Sequence, residues 1–463
     1  MDEKHCIYCG TTQNLNISHI IPDALTNANI TNDCVCNDLH NSKMSDKFEG
    51  IVAEKLAFLM NKLDIKSSKS KSYPNYNATI EIEGSKYEAK KLKSSDDFIK
   101  GRKVIWNKEH TQVFGNIDTI KAIAKSYGSD EASVKIIDVN NIEFIKTIGF
   151  ELEVFFSLEM YRLVAKIAFE WYCAQNKVHH KYEGFSEIIN YIVDGVGENI
   201  VSIVSDAEIN NKFNDYCNSG SHCLVGYISN KGDVNVFVDI FGLIIYNVKI
   251  CNHIPAFCSN NCLLQKLNLD TTRQHLCLHD YNDLHSDMIS SFSGYDSRFP
   301  QPIINGVRVC VPTMSKDVSG NLFFIGLLNN IGKGFSKEYS YTKEITDRLI
   351  DNIQKLLQAS ILHKRALKRF ISDNIDFSKE IVINPNGKDK KSIFIYYFLL
   401  ILGKENPDKM DNKILKKIIL DKFDKYEFVI TEEVYEQLKN TILQEENYSS
   451  IILLGAKKVL SWE

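Results

Sequence analysis

Apolar positions follow different rules in different parts of this chain. Residues 1–50 show almost no apolar periodicity and are dense in Cys, His, Asn and Asp. Within them Asn16 to Ile21 reads as a short strand, followed by a loop through Asn27, Asn29 and Asn32. Asn37 to Lys62 reads as a helix, with Leu39, Phe48, Ile51, Val52, Leu56, Phe58 and Leu59 as packing residues. KSSKSKSYPNY at 66–76 is a polar, basic linker. From Ala78 to Val139 the pattern alternates in ATIEIEG, KVIWN and ASVKIIDV, which predicts short strands joined by polar turns. Residues 152–175 carry the strongest helical pattern, with Leu158, Tyr161, Ala165, Ala168 and Tyr172 recurring every three or four positions. A second short helix is expected over Phe185 to Val193, and strands return in HCLVGYIS, DVNVFVDIFG and LIIYNVKI. Beyond 336 the spacing is helical, and the apolar run Ile393 to Leu402 reads as a buried helix. The expected class is therefore α+β in four parts: an N-terminal module over 1–62, a central mixed α+β domain over 75–250, a Cys/His-containing region over 251–335, and a mostly helical C-terminal domain over 336–463.

Composition narrows the picture modestly. A chain of 463 residues is long enough for two or three domains, each with its own core. The formal net charge of −4 excludes a protein that is basic throughout, so contact with a polyanion must come from local patches. One candidate is the stretch from Lys62 to Lys108, where 12 Lys or Arg face 6 Asp or Glu. MDEKHCIYCG is not a signal peptide, and the ten residues of the longest apolar run are too few to span a bilayer. A soluble cytoplasmic protein without membrane contact is the expectation.

The cysteines carry more information by spacing than by number. A segment as small as 1–50 cannot hold itself together by core burial alone, and a structural metal would supply what is missing. Cys6 and Cys9 form a CxxC pair, which presents two thiolates at the separation a tetrahedral zinc ion needs, and Cys34 and Cys36 follow as a CxC pair. The fourth ligand is Cys34, or His40 in its place if the helix begins early. A second, looser group, Cys251, Cys258, Cys262 and Cys277 with nearby histidines, could hold another metal, although its spacing fits no standard site.

Around these cysteines runs a longer pattern. Cys6-x-x-Cys9 is followed by Ser18-His19-Ile20-Ile21-Pro22-Asp23, and then by Cys36-Asn37-Asp38-Leu39-His40-Asn41-Ser42-Lys43. This stretch, Cys6 to Glu49, resembles the HNH endonucleases. The resemblance implies a ββα-metal fold in which two strands and a helix clasp a nucleic-acid backbone beside a divalent ion. It implies that His19 activates water, that Asn32 orients that histidine, and that Asn37 matches the asparagine after the last cysteine. It places the catalytic Mg²⁺ or Mn²⁺ ligand on the helix at His40 or Asn41, and a structural Zn²⁺ on Cys6, Cys9, Cys34 and Cys36. Ser18 departs from the pattern, because most members carry Asp, Glu or His there as a metal ligand. Chemistry agrees with the match: phosphodiester hydrolysis needs a base titrating near neutrality, which histidine supplies, and a cation to neutralise developing charge.

The expected activity is metal-dependent endonucleolytic hydrolysis of DNA, with RNA as a second candidate substrate and phage defence as a setting suggested by the same resemblance. The alternative is a catalytically inactive, zinc-braced protein that binds nucleic acid or regulates. A second copy or a partner subunit is compatible with either. Candidate phosphate contacts are Lys43, then Arg162 and Lys166 on one face of the 152–175 helix, then Lys364, Arg365, Lys368 and Arg369 near the C-terminus.

Overall fold

A strand beginning at Leu15 and a helix beginning at Asn37 set the architecture of the N-terminal region in a computed structural model of the chain. The residues described are 3–26, 30–63, 65–66, 72–82, 85–92, 104–106, 112–127, 135–138, 145–197, 200–204, 206, 209–210, 213, 222–256, 263–267, 277–279, 310–313, 345–353, 356–357, 364–384, 389–404 and 432–461. They form two compact units: Met1–Asn61 with Ile65–Asp347, and Lys62–Asp64 with Arg348–Glu463. The N-terminal module thus shares one unit with the central α+β region.

Strands β1 (Leu15–His19) and β2 (Thr31–Cys36) pair antiparallel, with Leu15 opposite Cys36 and His19 opposite Thr31. The chain then turns directly into a continuous helix over 37–55, α1, which contains two π turns, Asn37–Asn41 and Ser45–Glu49. After a break at Leu56 comes α2 (Ala57–Lys62). Two small sheets follow. β3 (Tyr76–Ile82), β4 (Ser85–Leu92), β8 (Ile145–Glu151) and β15 (Cys310–Thr313) lie in the order β15-β8-β3-β4. β5 (Val104–Trp106), β6 (Gln112–Gly115) and β7 (Lys135–Asp138) form the other, with α3 (Ile117–Tyr127) crossing between the parallel pair β6 and β7.

The core of this unit is helix α4 (Leu158–Gln175) laid on a six-stranded sheet. The helix starts later than its apolar pattern because Leu152–Phe156 forms a 3-10 turn and Ser157 caps the helix, its hydroxyl accepting from the Met160 amide at 3.2 Å. Every position of α4 from Met160 to Cys173 except Arg162 is buried, as expected of a helix that is apolar on nearly all sides. One side meets the module, through α1 and β2; another meets β11 and β12 of the sheet, and α5 (Ser186–Asp194) packs alongside. The sheet runs β14-β13-β10-β11-β12-β9, with β9 (Val201–Ile203), β10 (His222–Ile228), β11 (Val234–Ile240), β12 (Ile244–Cys251), β13 (Leu263–Leu267) and β14 (Cys277–His279). Its central strands are buried on both faces, which explains why they are mostly apolar, with Asn235, Asp239 and Asn247 as buried polar exceptions. Gly226 lies against the Trp171 ring, and a Cβ there would sit a tight 3.2 Å from it.

One polar residue in this core makes a test of the packing. His222 is fully buried; its Nδ1 lies 3.3 Å from the Phe241 amide and accepts from it, so Nε2 carries the proton donated to the Leu25 carbonyl at 3.2 Å. Burial pushes this imidazole down to about 4. An unfolded chain binds that proton from pH 6.5 downward and the folded one only near 4, so folding stability falls as pH drops through this window and the contribution is intact above 6.5. Hydrogen exchange of the β10 and β11 amides at pH 7 and pH 5 is expected to show the loss, and His222→Gln to flatten it. An equal pH response in both proteins would remove His222 as the cause.

The second unit is helical. α6 (Lys364–Asn374), α7 (Lys390–Lys404), α8 (Glu432–Leu443) and α9 (Tyr448–Ser461) share a core that includes Ile371, Phe398, Leu402, Ile442 and Ile452. The apolar run Ile393 to Leu402 lies in α7, with most of its side chains buried. Among the described residues no helix is long and apolar enough to cross a membrane.

Candidate metal centre

The centre begins with a knuckle. The Gly10 amide donates to the Cys6 carbonyl at 2.8 Å, the Cys6 amide donates to the Thr11 carbonyl at 2.8 Å, and Gly10 takes φ +80°, which glycine adopts at little cost. The turn folds Cys6 and Cys9 toward each other, and the Ile7 amide, donating to the Cys34 carbonyl at 2.9 Å, fastens it to β2. β2 ends on Cys36, and the immediate start of α1 brings His40 back over it one turn later.

Ligand atoms of Cys6, Cys9, Cys36 and His40 all lie within 4.8 Å of one another, and the four could hold a metal ion such as zinc. Around zinc with bonds of ~2.3 Å to sulfur and ~2.0 Å to nitrogen, neighbouring ligand atoms sit roughly 3.5–3.8 Å apart. Cys9 Sγ and Cys36 Sγ are 3.7 Å apart, and Cys6 Sγ and His40 Nδ1 are 3.8 Å apart. The Cys36 Sγ to His40 Nδ1 distance of 2.9 Å is shorter than that spacing, so these two atoms would move apart to share an ion. The donor set is soft and mostly buried, as a structural zinc site requires. Cys36 also donates its backbone N–H to Cys6 Sγ at 3.4 Å. Burial pushes the Cys36 thiol up to about 12, with Cys6 adding to the effect. Burial works the same way on Cys6, but hydrogen bonds from His40 and from nearby backbone amides outweigh it and lower that thiol.

Cys34 does not join the group, and His40 takes the fourth place instead. The Cys34 Sγ lies 3.4 Å from His179 Nδ1 and 3.5 Å from Asp33 Oδ1, and burial raises its thiol to about 11. His40 Nδ1 thus lies with the cysteines at a site that could hold zinc, and not at a separate ion position.

The remaining residues of the HNH-like pattern divide between a buried and an open face. Ser18 is buried and donates to Glu170 Oε2 at 2.9 Å. Asn32 is buried too; its Oδ1 accepts from the Cys34 amide at 2.8 Å and its Nδ2 donates to the Glu170 carbonyl at 3.1 Å, so it braces β2 against α4 and does not orient His19. On the open face Asn37 Oδ1 accepts from Asn16 at 3.3 Å and from Ser42 at 3.2 Å, and Asn41 donates to the Ile17 carbonyl at 3.3 Å, tying α1 to β1. His19, at the end of β1, is half-buried, and among the described residues no hydrogen bond, ion pair or ring contact engages its imidazole. Lys43 is exposed on α1.

Two of the expected phosphate contacts are spent inside the fold. Arg162 donates to the Ile192 carbonyl at 3.0 and 2.8 Å and to the Val193 carbonyl at 2.7 Å, capping the end of α5. Lys166 is 1% exposed and pairs with Glu49 at 3.0 Å and Glu170 at 3.3 Å. Neither faces a phosphate. Lys364, Arg365, Lys368 and Arg369 all lie on α6, in the second unit. Of the looser cysteine group, Cys251 is buried and bonded to the His253 carbonyl at 3.1 Å, and Cys277 sits on β14. Cys258 and Cys262 lie outside the described residues.

The pattern at the sequence level gave no role to Tyr8 or Glu170. Tyr8, inside the knuckle, stacks on the His40 ring at 5.0 Å and donates its hydroxyl to Glu170 Oε1 at 3.0 Å. Lys166 and Glu170 stand four residues apart in the apolar middle of the helix, and that mismatch was the available signal. Burial raises the Glu170 carboxyl, with Lys166 opposing. For Lys166 burial acts downward, and the two carboxylates outweigh it and hold the ammonium above its usual range.

No protein-family model, no curated protein and no solved structure matches this chain.

Proposed function

We propose that the chain is an HNH-type endonuclease that hydrolyses DNA phosphodiester bonds, with zinc on Cys6, Cys9, Cys36 and His40 as its brace and His19 as its general base. The observation that supports this reading is the pairing of a Cys/His group at the foot of a hairpin–helix unit with a histidine at the end of its first strand whose imidazole has no partner among the described residues. In such a site His19 takes a proton from the attacking water as its oxygen bonds to phosphorus and the phosphorus–oxygen bond to the leaving group breaks, and the leaving oxygen takes a proton from solvent. Zinc would organise the hairpin and α1, and supplies no step.

The residues for a catalytic Mg²⁺ or Mn²⁺ do not fit the pattern. Ser18 points inward to Glu170 and His40 belongs to the zinc group, so no step is assigned to a second ion. The same observation favours a second reading, a zinc-braced protein that binds nucleic acid without cutting it.

Supercoiled plasmid incubated with the zinc-loaded protein separates the two. Nicking is expected, and His19→Ala is expected to lower the rate by about 10²–10⁴-fold, the usual contribution of a positioned base. Retention of plasmid in a gel shift without nicking, under every cation tried, would reject the nuclease and support the binding protein.

A further inference from the structure

His19 sits at the end of a strand, where fraying would blur the direction of its side chain. Its backbone is nevertheless held from behind. Lys166 Nζ donates to the His19 carbonyl and also reaches the Ile20 carbonyl at 3.4 Å, so one ammonium grips the peptide group on the C-terminal side of His19 and the one after it. The preceding residue, Ser18, is held by Glu170 Oε2, and Glu170 itself is held by Lys166. The other Glu170 oxygen takes the Tyr8 hydroxyl, and Tyr8 stacks on His40 between the cysteines of the knuckle. Tyr8, Ser18, Lys166 and Glu170 are each at most 1% exposed, and the pair comes from a helix about 150 residues distant in the chain.

We propose that Lys166 and Glu170 are positioning residues for His19, and that Tyr8 links the position of that histidine to occupancy of the Cys6–Cys9–Cys36–His40 site. The assignment of His19 as the base rests on the nuclease reading; the mechanical link does not. A buried ammonium between two carboxylates is a costly arrangement, and apolar residues of the same volume would often serve stability as well. What it supplies here is geometry. Nζ donates to the His19 and Ile20 carbonyls while its charge pairs with Glu49 and Glu170, and those two carboxylates hold the ammonium in place against the His19 backbone. Loss of metal would loosen the knuckle, free the Tyr8 ring from His40, and remove one partner of Glu170.

The test follows the His19 imidazole directly. In ¹³C-histidine-labelled protein its signal is assigned by difference with His19→Ala, and zinc content is measured alongside. Lys166→Met combined with Glu170→Gln avoids leaving either member of the pair as a lone buried charge. This variant is expected to keep its zinc and the signals of the other described histidines, to shift and broaden the His19 signal, and to lower kcat by about 100-fold with KM unchanged, as a misplacement near 1 Å does. Glu170→Gln alone, which can still bond Tyr8 and Ser18, is expected to restore most of the rate. Tyr8→Phe is expected to shift the His19 signal with zinc still bound. A His19 signal and a kcat equal to wild type in the double variant would overturn the proposal. If that variant does not fold, Ser18→Ala decides the question by the same signal, and an unchanged His19 resonance overturns it. If the wild type cuts nothing, the nuclease reading fails, and the resonance alone still settles whether Lys166 and Glu170 position His19.

Discussion

Cys36→Ser and His40→Ala will abolish zinc binding, and Cys34→Ser will leave it intact. The contrast tests the group directly, because Cys34 and Cys36 are two residues apart on the same strand and look equivalent in the sequence. Cys36 Sγ lies among the other ligand atoms, whereas Cys34 Sγ faces His179 and Asp33. In isolated zinc-dependent peptides the metal contributes roughly 10–16 kcal/mol of folding free energy. Here the module also buries Ile7, Ile20, Ile21, Leu25, Val35 and Phe48, so part of its stability is independent of metal. Chelation is therefore expected to open the knuckle, the β1–β2 hairpin and the first turn of α1 while the sheet behind α4 stays folded. Metal content by mass spectrometry and hydrogen exchange of the amides over 15–41 are the measurements. Binding will weaken as pH falls, because zinc must displace the proton that burial holds on Cys36. Retention of zinc by His40→Ala together with its loss in Cys34→Ser would restore the four-cysteine site.

The reason the sequence left Cys34 and His40 unresolved is geometric. A CxC pair in an extended strand places both side chains on one face, which makes Cys34 a natural fourth ligand. The choice is made by two things outside that pattern. The helix starts on the residue after Cys36, which carries His40 back to it, and a histidine 145 residues away meets the Cys34 thiol. The CxxC pair, the first strand and the helix were legible because their signals are local, whereas the second strand was not: Asn32, expected in a loop, lies in β2, whose polar residues Thr31, Asn32 and Asp33 hide its extended character. Strands β10 to β12 and α4 were legible because they are long and apolar. Lys166 and Arg162 were misread as outward charges because four-residue spacing describes a helix face without saying what covers it. Their partners, Glu49 on α1 and the end of α5, come from other elements, and Asn32 was likewise claimed by Glu170.

In the second unit, Gly455→Ala will destabilise the protein by upwards of ~3 kcal/mol, although in an isolated helix the same change stabilises by about 1 kcal/mol. The sign is reversed by the approach of α7 and α9. A Cβ at Gly455 would stand 2.0 Å from the Leu399 carbonyl oxygen and 3.1 Å from the Gly403 nitrogen, and one at Gly403 would stand 2.0 Å from the Ile451 carbonyl oxygen. These neighbours are backbone, so no rotamer change relieves the clash, and the helices must separate. Separation would loosen the buried contacts of Leu399, Leu402, Ile452 and Ala456 and draw Lys458 away from the Leu402 carbonyl it meets at 2.6 Å at the end of α7. Gly403→Ala is expected to act similarly, and the two together to cost less than their sum because either one already parts the pair. With two units, global unfolding of the chain is not a single transition, so hydrogen exchange of the α7 and α9 amides is the appropriate measure. Leu454→Ala, at a half-exposed position on the same helix, serves as the control and is expected to change little. Protection in Gly455→Ala equal to or above wild type would show that the two backbones do not meet as closely as these glycines imply.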